Sequence, residues 1–250
     1  MAAKAALRDE AWAALRDAGA TRFPGAEGRI PNFVGAEAAA RRLRSTAAWA
    51  GAATVKANPD SPQLPVRQRA LEDGKRVFMA VPRPAGAKPF LVLDPARLAV
   101  RPREAASITG ASRHGRPVEV DELDRVDLAV VGCVAVSADG ARLGKGGSFS
   151  DLEYALAWEA GLLDASTVVV TTVHEAQVVA TGRIPVTGHD FLLDLIVTPE
   201  RVIDCRAARP AGPGGGPAPG VRWDELTEEK IAAIPLLARL RAEGQTRRRR

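Results

Sequence analysis

The sequence predicts an α/β fold in three layers, with a mostly parallel central sheet between layers of helices. Short apolar segments alternate with segments of helical periodicity along the 250 residues, which is the order that βαβ units produce. Two segments, Leu128–Val136 and Thr167–Val173, consist almost entirely of apolar or β-branched residues. Such runs are typical of central strands that are covered on both faces. The hydrophobic content of 46% is enough for a sizeable core.

The first half of the chain is predicted to contain three helices and three strands. Helical spacing of apolar residues indicates the helices Lys4–Ala18, Ala36–Arg44 and Val66–Asp73, the last ending at a C-cap glycine, Gly74. The strands are expected near Ala53–Lys56 and over Lys75–Val81 and Pro89–Leu93. Asn58–Pro65 holds three prolines and is predicted to be a loop, and residues 95–120 a long surface excursion.

The second half continues the alternation of strands and helices and then ends in a basic region. We expect strands over Leu128–Val136, Thr167–Val173 and Asp194–Thr198, and helices over Ser150–Gly161 and Ile231–Arg241. Proline and glycine dominate Ala207–Gly220, which indicates a flexible linker. The predicted organisation is therefore an α/β domain over residues 1–206, a linker over 207–220, a C-terminal helix over 221–243 that packs on the domain, and a basic tail over 244–250.

Charge and cysteine content narrow the class of protein. The net charge is +5, but four of these charges belong to Arg247–Arg250, so the remainder is nearly neutral and a nucleic-acid surface is not indicated. The two cysteines, Cys133 and Cys205, form no C-x-x-C pair. The chain opens without an apolar signal region, and no apolar run approaches the ~20 residues of a membrane span. We expect a cytoplasmic monomer that does not enter a membrane.

A basic, glycine-rich segment lies between the Leu128–Val136 strand and the Ser150–Gly161 helix. Its residues are Arg142-Leu143-Gly144-Lys145-Gly146-Gly147-Ser148. Glycines let backbone N–H groups turn toward an anion, and a helix N-terminus adds partial positive charge. Arg142 and Lys145 add full charges, and Asp151 could hold a phosphate-bound Mg²⁺. The segment matches neither the Walker nor the dinucleotide-binding glycine pattern. An ordinary turn, with Asp151 only favouring the helix dipole in a Ser150-x-x-Glu153 capping box, is the alternative interpretation.

Several separated motifs together resemble the 5-formyltetrahydrofolate cyclo-ligase family, also called methenyltetrahydrofolate synthetase. The strongest match is Arg142-Leu143-Gly144-Lys145-Gly146, followed by Phe149 and Asp151; Lys4-x-x-Leu7-Arg8, Val81-Pro82-Arg83 and His189-Asp190 support it. These blocks keep the family's order and spacing across residues 4–203. The resemblance is closer to a divergent branch, called methenyltetrahydrofolate synthase domain-containing, which shares Arg29–Phe33, the segment from Val55 to Asp60, Asp151–Ala155 and Ile234-Pro235.

The resemblance implies a fold, a reaction and a set of site residues. The fold would be similar to the NagB/ribose-5-phosphate isomerase/CoA-transferase group. The reaction would convert 5-formyltetrahydrofolate to 5,10-methenyltetrahydrofolate with ATP and Mg²⁺, through a phosphorylated formyl group. Catalytic roles would fall to Lys4, Arg142 and Lys145, substrate binding to Asp60 and Phe149, and metal binding to Asp151 and Asp194. The nucleotide would be held by Lys4, Arg8, Arg142, Leu143, Gly144, Lys145, Gly146, Gly147, Ser148, Phe149 and Ser150.

This chain departs from the family pattern inside the glycine-rich segment itself. Ser148 replaces the third loop glycine, and Phe149 and Ser150 replace a pair of tyrosines. Two other functions therefore stay open at this point. One is a non-catalytic or RNA-associated relative that retains the nucleotide-binding fold. The other is a different ATP-using enzyme with a substrate that is not a folate.

Overall fold

The computed structural model describes residues 2–80, 88, 90–146, 149–188, 190–208, 221, 223, 226–233, 237, 238 and 241. Its α-helices are α1 (Ala2–Asp17), α2 (Ala36–Arg44), α3 (Ala47–Gly51), α4 (Leu64–Glu72), α5 (Pro102–Ala105), α6 (Ile108–His114), α7 (Phe149–Glu159) and α8 (Glu228–Ala233). Its strands are β1 (Thr21–Arg22), β2 (Asn32–Phe33), β3 (Thr54–Ala57), β4 (Arg76–Ala80), β5 (Phe90–Leu93), β6 (Arg116–Val118), β7 (Leu128–Val130), β8 (Ala135–Ser137), β9 (Arg142–Leu143), β10 (Val168–Thr172), β11 (Val178–Val179), β12 (Leu195–Val197) and β13 (Val202–Asp204).

An eight-stranded sheet organises the molecule in the order β13-β12-β10-β7-β3-β4-β5-β6. The five strands from β12 to β4 are parallel to one another, and the outer strands β13, β5 and β6 are antiparallel to their neighbours. The predicted mostly parallel α/β sheet is therefore confirmed. Two smaller sheets, β1-β2 and β11-β8-β9, lie outside it.

Side chains alternate between the two faces of the sheet and form a separate core on each, which gives the three predicted layers. On one face Val55, Val130 and Val170 pack with Leu43 of α2 and Leu71 of α4. On the other face, the intervening strand residues Phe78, Ala129 and Val169 pack in a cluster that includes Ala157 of α7. A third cluster joins α1 to the small β11-β8-β9 sheet.

Several predicted elements agree closely with the structure. The helix predicted over Ala36–Arg44 has the same bounds as α2, and α1, α4 and α7 begin and end within a few residues of their predicted limits. Gly74 has a positive φ of 75°, as its predicted position after the α4 C-terminus requires. Local spacing was sufficient here because each helix buries one regular apolar stripe.

The prediction of one strand over Leu128–Val136 is wrong. The structure divides this segment into β7 in the large sheet and β8 in a small one, with a break at Val131–Val134. A Cβ atom on Gly132 would lie 2.9 Å from both Asp60 Oδ2 and a methyl carbon of Ile30, so the chain passes too close to its neighbours for a side chain. The Gln177 amide donates to the carbonyls of Cys133 and Val134 at 3.1 Å each, in place of a neighbouring strand.

Residues 95–120 are also more regular than expected. They contain α5, α6 and the edge strand β6, not only a surface excursion. Pro102 occupies the first turn of α5, and the Ser107 hydroxyl accepts from Gly110 N–H at 2.9 Å as the N-cap of α6. These local signals were present in a sequence that is otherwise rich in arginine, proline and glycine.

The C-terminal region is described only in part. Val221, Ile231 and Leu237 pack in one cluster with Leu152 and Leu156 of α7. Residues 209–220 of the predicted linker and the 244–250 tail lie outside the described residues, so the division into domain, linker, helix and tail stays a prediction. In the described part of the chain, no helix combines the length and apolar character that crossing a membrane requires.

Candidate functional site

The sheet reverses its strand order between β3 and β7, so the carboxyl ends of these two strands form the switch point of the fold. From β3 the chain proceeds to β4 on one side, and later from β7 to β10 and β12 on the other. Open α/β sheets bind ligands at such a switch point, beyond the carboxyl ends of the strands. Asp60 follows β3 and Gly132 follows β7, and Asp60 Oδ2 lies where a Gly132 side chain would begin. The predicted substrate residue Asp60 is thus at the expected position for a binding site.

Asp60 is held by a buried arginine that the sequence analysis did not single out. Arg67 of α4 donates to the carbonyls of Asn58, Pro59, Asp60 and Ala106 at distances between 2.5 and 3.3 Å. Burial lowers the pKa of the Arg67 guanidinium to about 10, against the opposing effect of the Asp60 charge. Arg67 occupies the apolar face of α4 together with Val66, Ala70 and Leu71, and that placement was the signal in the sequence.

The surroundings of the Asp60 carboxyl group hold its pKa above the usual value. Burial raises the pKa of Asp60, and the negative charge of Glu153 adds to this effect, while the positive charges of Lys145 and Arg67 oppose it. Lys145 belongs to the glycine-rich segment and Glu153 to α7. The carboxyl group therefore faces three different elements, and it can exchange hydrogen bonds with a polar ligand at the switch point.

Arg67→Met is expected to lower the free energy of unfolding by about 3 kcal/mol, because it leaves several buried carbonyl groups without their donor. Urea unfolding followed by circular dichroism measures this value. Arg69→Met on the same helix is the matched control. The ion pair that the structure shows for Arg69 is a long one, with Glu72 at 3.9 Å. Equal stability of the two variants would show that Arg67 does not hold the Asn58–Asp60 loop.

The N-terminal helix brings two predicted cations to the glycine-rich segment. Arg8 donates through Nε to the Gly144 carbonyl at 2.7 Å. Lys4 lies one turn earlier on α1, and its Nζ is 2.6 Å from Asp190 Oδ2. Burial raises the pKa of Asp190, but hydrogen bonds from Lys4 and Thr187 outweigh it and hold the pKa below its usual value. Chain segments separated by more than 130 residues thus meet at one place.

Arg142 is more deeply buried than we would expect of a loop residue whose side chain binds phosphate. Arg142 and Leu143 form β9, and the Arg142 side chain is only 2% exposed. Its guanidinium pairs with the Asp151 carboxylate and lies 3.7 Å from the centroid of the Phe191 ring. Phe191 in turn stacks on Tyr154, with centroids 4.1 Å apart. Arg142 and Asp151, predicted to contact phosphate and metal separately, are each other's partners in this structure.

Besides Arg142, the structure describes four residues of the glycine-rich segment that were predicted to bind the nucleotide. Leu143 is buried, and Gly144, Lys145 and Gly146 follow it. Gly146 has a φ of 103°, in the region that favours glycine, and a Cβ there would be 3.8 Å from the Arg8 guanidinium carbon. Gly147 and Ser148 lie outside the described residues, as do the side chains of Phe149 and Ser150. The roles expected of these four residues stay predictions.

The two carboxylates predicted to bind metal are not brought together. Asp194 lies at the amino-terminal end of β12, where its carboxylate accepts from the Val169 N–H at 2.8 Å. Asp151 lies at the start of α7, beside Arg142. Among the residues for which the structure gives positions, no group of three or more His, Cys, Asp or Glu side chains could hold a metal ion. Mg²⁺ needs only one or two carboxylates when phosphate oxygens and water complete its shell, so Asp151 alone fits in donor type.

The geometry defines an α/β protein in which the N-terminal helix contacts a basic, glycine-rich segment, with a mostly parallel sheet between layers of helices. A sequence profile described as the 5-formyltetrahydrofolate cyclo-ligase family matches residues 1–199. The chain belongs to this family.

Similar proteins of known sequence support the same assignment. The chain is 37% identical over 240 residues to the mouse methenyltetrahydrofolate synthase domain-containing protein, and the match covers 95% of this chain and 63% of the mouse protein. For the human protein of that name the identity is 34% over 243 residues, covering 96% of this chain and 61% of the relative. The chain thus spans about three fifths of the length of the curated relatives it matches.

A solved structure supports the fold. The solution structure of the 5,10-methenyltetrahydrofolate synthetase from Aquifex aeolicus is similar with a TM-score of 0.51 at 19% identity, over 84% of this chain and 97% of that protein. The mostly parallel α/β architecture is therefore that of a known member of the family.

Proposed function

We propose that this protein uses ATP and Mg²⁺ to convert 5-formyltetrahydrofolate to 5,10-methenyltetrahydrofolate. The observation that carries the proposal is the meeting of α1 with the glycine-rich segment beside Asp60, at the switch point of the sheet. Two separated motifs of the family, at Lys4–Arg8 and Arg142–Gly146, are in contact in this arrangement. Family membership supports folate conversion in general, and the basic side chains of α1 and the glycine-rich segment support a phosphate-bearing ligand.

The proposed reaction proceeds in two steps. The formyl oxygen attacks the γ-phosphorus of ATP, its bond to phosphorus forms as the bond to ADP breaks, and the formyl carbon becomes electrophilic. The second folate nitrogen then attacks that carbon and a C–N bond forms. This nitrogen loses its proton to a phosphate oxygen or to water, and the C–O bond breaks to release inorganic phosphate. Phosphoryl transfer asks the protein mainly for positioning and charge stabilisation. No general base is needed, which agrees with a chain that has three histidines.

We assign each of the lysine and arginine side chains of the candidate site a role in the proposed reaction. Lys4, Arg8 and Lys145 supply positive charge from two sides for the phosphate oxygens. Arg142 fixes the beginning of the glycine-rich segment and orients Asp151. Asp60 and the ring of Phe149 are assigned to the folate. Bound Mg²⁺ would be held by Asp151 and would neutralise charge on the phosphate groups.

The proposed function also predicts the ligands, the oligomeric state and the cellular location of the protein. ATP and a reduced folate are the expected ligands, and the protein is expected to act as a monomer in the cytoplasm. A role in RNA binding is not favoured, because the chain without its four terminal arginines is nearly neutral, and aromatic residues that could stack on bases make up only 4% of it.

Purified protein is expected to form the methenyl chromophore from 5-formyltetrahydrofolate only when ATP and Mg²⁺ are both present. Absorbance follows the product, and reactions without ATP or with chelator are the controls. A folded protein that binds ATP but forms no product at saturating substrate would contradict the proposed reaction. The non-catalytic relative would then be the better account.

A further inference from the structure

A buried lysine of β3 has no part in the proposed phosphoryl transfer. Lys56 is in the middle of β3, and its side chain is 6% exposed. Its neighbours Val55 and Ala57 face the core formed with α2 and α4, so Lys56 faces the opposite layer, which contains α7. There its Nζ lies 2.5 Å from Oε1 of Glu153 on α7.

The location makes a purely structural role costly. Lys56 is in register with Phe78 of β4 and Ala129 of β7, and both of these side chains belong to the apolar core on the α7 side. A charged side chain among these apolar residues must lose its hydration, which costs free energy. A buried ion pair therefore contributes little more to the free energy of unfolding than apolar residues of similar volume would. An apolar pair would therefore suffice to pack α7 on β3, and the charges call for another explanation.

The pair connects this core to the predicted folate residue. Asp60 follows Lys56 by four residues, just beyond the carboxyl end of β3. The charge of Glu153 contributes to raising the pKa of the Asp60 carboxyl group, and the charge of Lys145 opposes it. In the order Lys56, Glu153, Asp60, Lys145, the two lysines thus flank two neighbouring carboxyl groups. The Glu153 side chain remains 26% exposed, so its carboxylate can reach a ligand while Lys56 stays buried beneath it.

We infer that Glu153 is a specificity-determining residue that accepts hydrogen bonds from the ring of the folate, and that Lys56 is its positioning residue. A reduced pterin ring carries several N–H donors on one edge. Two neighbouring carboxyl groups, Glu153 and Asp60, match such an edge, and the Lys56 ammonium offsets the repulsion that would otherwise separate them. The inference rests on the proposed function, because it states which part of the folate Glu153 and Asp60 would recognise.

Equilibrium binding of 5-formyltetrahydrofolate and of a non-hydrolysable ATP analogue tests the inference without requiring turnover. Glu153→Gln is expected to weaken folate binding about tenfold or more, since hydrogen bonds to charged groups are the strong ones, and to change the affinity for the ATP analogue less than twofold. Lys56→Met is expected to weaken folate binding similarly. The double variant Lys56→Met/Glu153→Leu is expected to unfold at the wild-type urea concentration and still bind folate weakly.

The controls separate a binding role from a packing role. Arg44→Met removes an ion pair with Asp73 on the opposite layer and should leave both affinities unchanged. Wild-type folate affinity in the double variant would overturn the inference, because the charges would then only pack α7. If the wild-type protein binds the folate without converting it, only the proposed reaction fails, and the variants still decide the inference. If the wild type binds no folate, both fail.

Discussion

Arg142→Met is expected to lower the free energy of unfolding by about 3–5 kcal/mol, because it leaves the Asp151 carboxylate without its buried partner. Lys145→Met is expected to change the stability by less than about 0.5 kcal/mol, as is usual for surface substitutions, and to weaken ATP binding about tenfold, since it removes a charged phosphate contact. The structure makes this distinction because Arg142 is enclosed between Asp151 and Phe191. In the sequence, the two residues have the same apparent role.

Urea unfolding and titration with an ATP analogue measure the two effects separately. Arg142→Lys is the informative companion variant, because it keeps the charge but cannot reproduce the planar contact with Phe191. Its stability should lie between those of wild type and Arg142→Met. A fully stable Arg142→Met protein that has lost only ATP affinity would show that Arg142 is a phosphate ligand and not a structural partner of Asp151.

Asp151→Asn is expected to reduce turnover about 100-fold, because a bound metal stabilises transition-state charge by several kcal/mol. The substitution keeps the size of the side chain and an oxygen that can accept from Arg142. The Mg²⁺ concentration that gives half-maximal rate should rise, and measuring the rate against Mg²⁺ at saturating ATP and folate tests this.

Asp194→Asn is the matched control for the metal prediction. Asp194 accepts from the Val169 backbone at the amino-terminal end of β12, so its replacement should affect stability and leave the Mg²⁺ dependence unchanged. The reverse pattern, in which Asp194→Asn changes the Mg²⁺ dependence and Asp151→Asn does not, would contradict the site as we describe it. It would also favour the capping role of Asp151 that the sequence leaves open.

The fold was predictable where local patterns and tertiary structure agree. The apolar stripe of α2 and the glycine that ends α4 are local features, and both agree with the structure. The break between β7 and β8 is not a local feature. It depends on the approach of Gly132 to Asp60, which is distant in sequence, and on the amide of Gln177, which supplies the missing hydrogen bonds. An apolar run with one internal glycine does not reveal that its two halves belong to different sheets.

The sequence allows a candidate site to be proposed as a set of residue types, but not as a set of pairs. The family motifs predict that Lys4, Arg8 and Lys145 belong to one anion site. The pairing of Arg142 with Asp151, and of Lys56 with Glu153, depends on how β9, β3 and α7 come together. Arg67 looked like one polar residue in an amphipathic helix, and only the fold shows that it is buried against the loop that carries Asp60.

The fate of the formyl oxygen tests the central claim most directly. 5-Formyltetrahydrofolate labelled with heavy oxygen in its formyl group is incubated with the protein, ATP and Mg²⁺, and the inorganic phosphate is analysed by mass spectrometry. Transfer through a phosphorylated formyl group predicts one labelled oxygen in each phosphate that accompanies a methenyl product. Methenyl product together with unlabelled phosphate would contradict the account, because ATP hydrolysis would then be separate from the activation of the formyl group.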